Sequence, residues 1–197
     1  HDYGSEHEKT FYGAERMDEV LDIFRREGIS ATIFVTGEVL ERYPSQVRGW
    51  AENHEIGCHS YSHTYFDLMH VSGIRKELDR FVHIYKKVLN RSPLGFRAPS
   101  HIIDNAAIRT ASEVGFYYDS SVVPAKTSMY GLPNAEHKPY KITSNSIDKN
   151  DSSGKLIEFP LLVTTFLGKK IPAAGGFYLR TLPIKVIKNA LKNYQKK

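Results

Sequence analysis

The chain has 197 residues, 41% of them hydrophobic and 25% charged, with a formal charge of +5. That length supports one substantial core, and the composition is that of an ordinary globular domain rather than a low-complexity segment. No apolar run approaches the roughly 20 residues of a membrane span, and the lone cysteine, Cys58, rules out an internal disulfide.

Residues from Ala14 to Glu27 carry Met17, Val20, Leu21, Ile23 and Phe24 at a helical period, and Gly28 supplies a stop. Ala31 to Val35 is β-branched and apolar and reads as a buried strand. A helix is expected near Pro44 to Asn53, then a strand from Glu55 to His59 that buries Cys58 as a small hydrophobe. Ile74 to Leu89 is amphipathic through Leu78, Phe81, Val82, Ile84 and Tyr85. Leu94 to Arg97 is a short strand halted by Pro99, Asn105 to Val114 is a helix opened by Asp104 or Asn105, and Phe116 to Asp119 is another strand.

From Pro124 to Lys155 periodicity fades into a Pro, Asn, Ser and Gly-rich stretch, the pattern of a long excursion over one face. Leu156 to Pro160 returns to a strand, Leu161 to Phe166 suggests a further one, and Ile184 to Tyr194 closes as a helix. Lys185, Lys188, Lys192, Lys196 and Lys197 give that end its positive charge, the pattern of a solvated helix face; no nucleic-acid-binding motif accompanies it. Alternating strands and helices predict a parallel sheet with helices outside it, in one α/β domain over residues 1–197. No basic, apolar, small-residue leader opens the chain, although a leader already removed would leave the same pattern. The compartment therefore stays open between cytoplasm and cell envelope.

Chemistry concentrates where strands end. His59 and His63 lie four apart, directly after a strand, and neutral imidazole is a common ligand for zinc and similar ions. One helical turn would let both rings share an ion; two surface histidines on a turn would give the same letters. Arg97 and Asp119 also end strands, and strand ends converge on one face of a parallel fold. Either they belong to an active centre with the histidines or they form a salt bridge at the sheet rim. A metal site would need a third ligand, often a carboxylate. Such residues suit metal-assisted hydrolysis of an amide or ester, with a carboxylate as base, an arginine holding it ionised, and backbone amides meeting the oxyanion.

The order His59-Ser60-Tyr61-Ser62-His63, Arg97-Ala98-Pro99-Ser100, Asp119-Ser120-Ser121 resembles the polysaccharide deacetylase family, carbohydrate esterase family four, which includes the rhizobial chitooligosaccharide deacetylases. Glu158-Phe159-Pro160 and the stretch from Ala173 to Arg180 further resemble a branch found among bacterial exopolysaccharide loci. The resemblance implies a distorted (β/α) barrel of about seven strands, here short of its first and last strands. It implies hydrolysis of acetyl groups from N-acetylated (or O-acetylated) polysaccharide sugars with a divalent metal, zinc before cobalt or nickel. On that pattern His59 and His63 are metal ligands, Arg97 orients the catalytic carboxylate, the Ser100 backbone N–H meets the oxyanion, and Asp119 tunes a distant histidine.

Two features depart from the pattern. The family's first motif, with its aspartate base, has no visible counterpart before His1, which leaves Asp2 as candidate metal carboxylate, His1 as a rival, and Asp2 as base a further possibility. The closing leucine-histidine motif has no counterpart either; His137 and His101 sit elsewhere. Among other residues, Tyr61 could stack on a sugar ring, His101 could contact substrate, and Gly175 with Gly176 could admit a ligand or simply form a turn. His54, His70 and His83 read as solvated or helix-side residues, and Glu158 as either site-facing or paired. Two other functions compete: a catalytically incomplete carbohydrate-binding relative, and a metal-independent amidohydrolase acting on a small cyclic amide, against which the histidine pair argues.

Overall fold

A computed structural model describes residues 11–128 and 130–195. Two helices open them, α1 (Tyr12–Glu15) and α2 (Met17–Arg26). The apolar stripe of α2 turns inward, with Leu21 buried and Met17 and Phe24 packed on the core. Gly28 follows at φ 64°, a left-handed backbone that suits glycine. Strand β1 (Thr32–Val35) leads into α3 (Gly37–Arg42), a short helix with no advance signal in the pattern. The Thr36 side chain caps it by accepting from Val39 N at 3.3 Å. Helix α4 (Pro44–Trp50) starts on proline, whose missing N–H costs nothing there.

Strand β2 (Glu55–Cys58) precedes the long α5 (Val71–Leu89), which Asn90 closes in a left-handed conformation. Then come β3 (Gly95–Phe96), α6 (Asn105–Val114) and β4 (Tyr118–Asp119). Asp104 caps α6 through Ala107 N at 2.8 Å, and Gly115 ends it at φ 102°. The excursion after β4 contains β5 (Tyr140–Ile142), followed by β6 (Leu156–Glu158). A hairpin of β7 (Val163–Phe166) and β8 (Lys169–Pro172), then α7 (Gly176–Thr181) and α8 (Ile184–Gln195), complete the described chain.

Among the described residues the main sheet has six strands in the order β1-β2-β3-β4-β6-β5. All neighbours are parallel except β5, which runs antiparallel to β6. This is the expected α/β fold with a parallel sheet and helices packed on it. Among the described residues the sheet does not close: β1 and β5 are its edges. The strand read at Leu161 to Phe166 exists but pairs with β8 in a separate two-stranded sheet, so it adds nothing to the barrel.

Ile56, Cys58 and Phe96 form the inner layer of the core with Leu78, Phe81, Ile84 and Tyr85 of α5 and Ala107, Ile108 and Ala111 of α6. Phe66 stacks on Phe96 at 5.8 Å between ring centroids. Each large apolar side chain buried this way contributes about 1.5–3 kcal/mol. Tyr85 is the polar exception, and its hydroxyl donates to Ile56 O at 3.0 Å. A second cluster, Val123, Ala125 and Leu161, is small. No helix among the described residues is long and apolar enough to cross a membrane.

Candidate active site

The parallel sheet delivers four polar residues to the carboxyl ends of its strands because β2, β3, β4 and β6 run the same way. His59 follows β2, Arg97 follows β3, Asp119 ends β4 and Glu158 ends β6, with Asp119 and Glu158 in register. The His59 and His63 ring centroids lie 4.9 Å apart, at 71°. They share a locus as the spacing suggests, but not by a helical turn. The segment between them is an irregular loop with Ser60 at φ 61° and His63 at φ 65°.

A residue that the sequence reading missed holds that loop. Glu77, on α5, accepts with one oxygen from Tyr61 N at 3.0 Å, Ser62 N at 2.8 Å and Ser62 Oγ at 3.0 Å. Ser60 Oγ also accepts from His63 N at 2.9 Å. No local signal separates Glu77 from any other charged residue on a helix; only the folded loop reveals it.

His59 Nδ1 lies 2.7 Å from the Arg97 carbonyl oxygen. A carbonyl only accepts, so Nδ1 carries the proton and Nε2 keeps its lone pair. Burial, ahead of the neighbouring charges, pushes the His59 pKa down to about 3, so the ring is neutral at physiological pH. A neutral imidazole with one nitrogen anchored to a backbone carbonyl is how proteins prepare a metal ligand. The pair therefore fits a divalent cation, with the third ligand still to be supplied. Among the described residues no group of three or more His, Cys, Asp or Glu could hold an ion. Asp2 and His1, the candidates for that role, lie outside the described residues.

Arg97 does not form the rim salt bridge with Asp119 that was one reading of the sequence. Its Nε donates to Ser120 O and its Nη2 to Ser120 Oγ, each at 2.7 Å, and Ser120 Oγ donates on to Phe159 O at 2.8 Å. The guanidinium also lies 4.3 Å from the centroid of the Phe34 ring. Asp119 is fully buried and accepts from Ser121 Oγ at 2.6 Å, and Ser121 Oγ accepts from Ala98 N at 2.8 Å. Its remaining oxygen has no protein donor. Asp119 is the register partner of Glu158 on the neighbouring parallel strand, which favours the paired reading of Glu158.

Ser100 and His101 both sit in left-handed backbone, at φ 53° and 60°. They line a cleft of about 400 Å³ with His59, Arg97, Phe34 and Met17. His101 Nδ1 and Ser100 Oγ are buried there without a hydrogen-bond partner. Burial and then the Arg97 charge push the His101 pKa down to about 4, so it too is neutral at physiological pH.

Other expected residues fall elsewhere. Tyr61 is 8% exposed, with its ring against the Gly37 backbone on one side and the Arg80 guanidinium 3.7 Å from its centroid. Its hydroxyl donates to Glu41 at 2.5 Å. No ring face is left for a sugar, so Tyr61 is a packing residue. Gly175 sits at φ 89° before α7 and is not among the residues lining the cleft, so turn geometry accounts for it. His54 is buried rather than solvated, and its Nδ1 accepts from Ala31 N at 3.3 Å. His70 caps α5, and His83 is exposed on that helix. Cys58 is fully buried, and desolvation raises its thiol pKa well above the ordinary value, which agrees with a packing role.

Comparison with known proteins matches residues 2–118 to the family described as polysaccharide deacetylase. Residues 120–197 match a domain of unknown function (DUF3473). A peptidoglycan deacetylase-like protein of Gibberella zeae is 28% identical over 125 residues, covering 62% of this chain and 37% of its own length. A peptidoglycan-N-acetylglucosamine deacetylase of Bacillus cereus is 31% identical over 99 residues, 50% of this chain and 46% of its own. The chain thus spans less than half the length of these curated relatives. A solved Mycobacterium smegmatis structure described as a polysaccharide deacetylase aligns with a TM-score of 0.58 at 25% identity, covering 84% of this chain and 52% of that one. An allantoinase structure reaches 0.62 at 18% identity over 91% and 57% of the two chains, a likeness of fold alone.

Proposed function

Because the chain belongs to the polysaccharide deacetylase family, we propose that it carries the catalytic face of a metal-dependent hydrolase that removes acetyl groups from N-acetylated polysaccharide sugars. The observation that carries this reading is the His59 ring, held neutral with Nδ1–H on the Arg97 carbonyl and Nε2 available beside His63.

A divalent cation held by His59 and His63, zinc before cobalt or nickel, would supply Lewis acidity toward the acetyl carbonyl and acidify a water molecule. The chain's own residues do the rest. Glu77 fixes the loop that presents the two rings. Arg97, clamped on Ser120 and packed on Phe34, places a permanent positive charge at the cleft wall, where it would hold an acidic base ionised. The backbone N–H of Ser100, a residue that lines the cleft, would meet the oxyanion. His101, neutral and lining the cleft, would offer the substrate a hydrogen-bonding group.

A metal-stripped preparation of the full protein should regain acetate release with equimolar zinc or cobalt, and His59→Ala should lose both metal binding and release. Undiminished release by His59→Ala would reject the mechanism. A second reading is a carbohydrate-binding relative without turnover. It requires the stripped and reloaded protein to bind an N-acetylated oligosaccharide equally and to release no acetate from it. Full activity with no bound ion would instead favour a metal-independent amidohydrolase.

A further inference from the structure

We propose that Glu158 is a positioning residue whose carboxyl group keeps its proton and donates it to Asp119, so that the two act as one singly charged brace for the Arg97 to Ser100 segment. The activity readout of this inference rests on the hydrolase reading above; the brace itself does not.

The geometry is specific. Asp119 and Glu158 are register partners on the parallel strands β4 and β6, and both are 0% exposed. Each carboxyl has one oxygen served by a protein donor: Ser121 Oγ at 2.6 Å for Asp119, and Val122 N at 3.0 Å for Glu158. Each has a second oxygen, Asp119 Oδ2 and Glu158 Oε2, with no donor. As register partners on adjacent parallel strands, the two side chains project to the same face of the sheet. Two ionised carboxylates there would both be acceptors, leaving two buried lone-pair sites empty and two like charges together. One retained proton satisfies both oxygens and removes the repulsion.

The charged and titratable groups packed around the pair agree. From β3, Arg97 contributes one positive charge, enough to balance one carboxylate but not two. From β5, Tyr140 is the register partner of Glu158, but its hydroxyl donates to Ile147 O at 2.6 Å. Burial pushes both carboxyls upward, Glu158 the further, with the Asp119 charge adding to its shift. The Arg97 charge opposes the shift in both.

The pair reaches the site through short links. Asp119 accepts from Ser121 Oγ–H, and that hydroxyl accepts from Ala98 N–H at 2.8 Å, the residue between Arg97 and Pro99. Ser120, next along, receives the Arg97 guanidinium. Loss of the dyad proton would set two charges against each other beneath both supports.

The sign of the pH effect follows. A carboxyl whose folded pKa is raised stabilises the fold fully below its ordinary range, near about 4. That contribution is lost as pH rises through the raised value. Glu158→Gln keeps a donor and cannot ionise. It should retain kcat and KM at neutral pH within about threefold and abolish this loss of stability with rising pH. Infrared spectra should show a buried protonated-carboxyl C=O band in the wild-type protein and none in Glu158→Gln. Glu158→Leu removes the donor and should lower kcat on the order of 10- to 100-fold with little change in KM.

Absence of the band from the wild-type protein, or its persistence in Glu158→Gln, would overturn the proposal. So would an unchanged kcat in a folded Glu158→Leu. If Glu158→Leu does not fold, the infrared comparison with Glu158→Gln still decides. If the chain releases no acetate at all, the band and the stability-pH curve test the dyad independently of the hydrolase reading.

Discussion

The two stretches of the chain solve different problems. Residues 11–118 build a parallel sheet whose strands are clamped by α5 and α6, with Leu78, Phe81, Ile56 and Phe96 at 0% exposure. Residues 120–195 contain an antiparallel hairpin, a helix α7 without a buried residue, and a helix α8 that buries only Ile187 and Ala190. Phe177, Leu179, Ile184 and Leu191 are at least half exposed there. A site needs side chains held to fractions of an ångström, and only the first stretch has the packing to hold most of them. The second contributes to the site where it joins the first sheet, through Ser120, Ser121 and Glu158. Rigidity thus follows sheet membership rather than position along the chain.

That contrast can be tested, starting with the largest effect. His59→Ala should lower acetate release about 10³-fold or more, since it removes a ligand and not merely an orienting contact. Circular dichroism should show the fold intact; a folded mutant with near-normal turnover would remove the site from this strand end. In the core, Phe81→Ala should cost about 3–5 kcal/mol in urea unfolding, because the cavity is walled by strands and helices that cannot collapse into it. Ile187→Ala, on the thinly packed α8, should sit near the lower end of the range for such truncations, about 2 kcal/mol. Equal losses at both sites would mean that the two stretches are equally well packed.

Glu77→Gln probes how the rigid region shapes the site. The carboxylate accepts three hydrogen bonds from the loop between the histidines. Gln offers a neutral acceptor in the same place. Metal affinity measured by competition with a chelator should fall on the order of 10-fold, with the melting temperature little changed. An unchanged affinity would show that the loop holds itself. The smallest effect belongs to the exposed region: Leu179→Ala, at a residue 55% exposed, should change unfolding free energy by less than about 0.5 kcal/mol.

Much of the fold was readable because its signals are local. The stripe of α5, the Asp104 cap and Gly115 stop of α6, and the β-branched run of β1 each depend on residues within a few positions. Helix α3 was missed because one short turn carries too little periodicity, and its Thr36 cap is a single letter. Strand β5 was hidden inside a polar excursion because it is an edge strand paired on one side only, where burial alternates over just three residues. The same limits governed the site. His59, Arg97 and Asp119 were legible as strand ends; Tyr61 looked available between two histidines until Arg80 covered its ring.

The amino-acid order alone therefore determined the alternation of strands and helices, the strand-end polar residues and the family they resemble. Periodicity, caps and motif spacing are properties of neighbouring letters. Only the tertiary structure decided that Glu77 grips the histidine loop, that Arg97 docks on Ser120 instead of Asp119, and that Asp119 meets Glu158. Those contacts join residues far apart in the chain, and their partners follow from strand order and register, which no local pattern encodes.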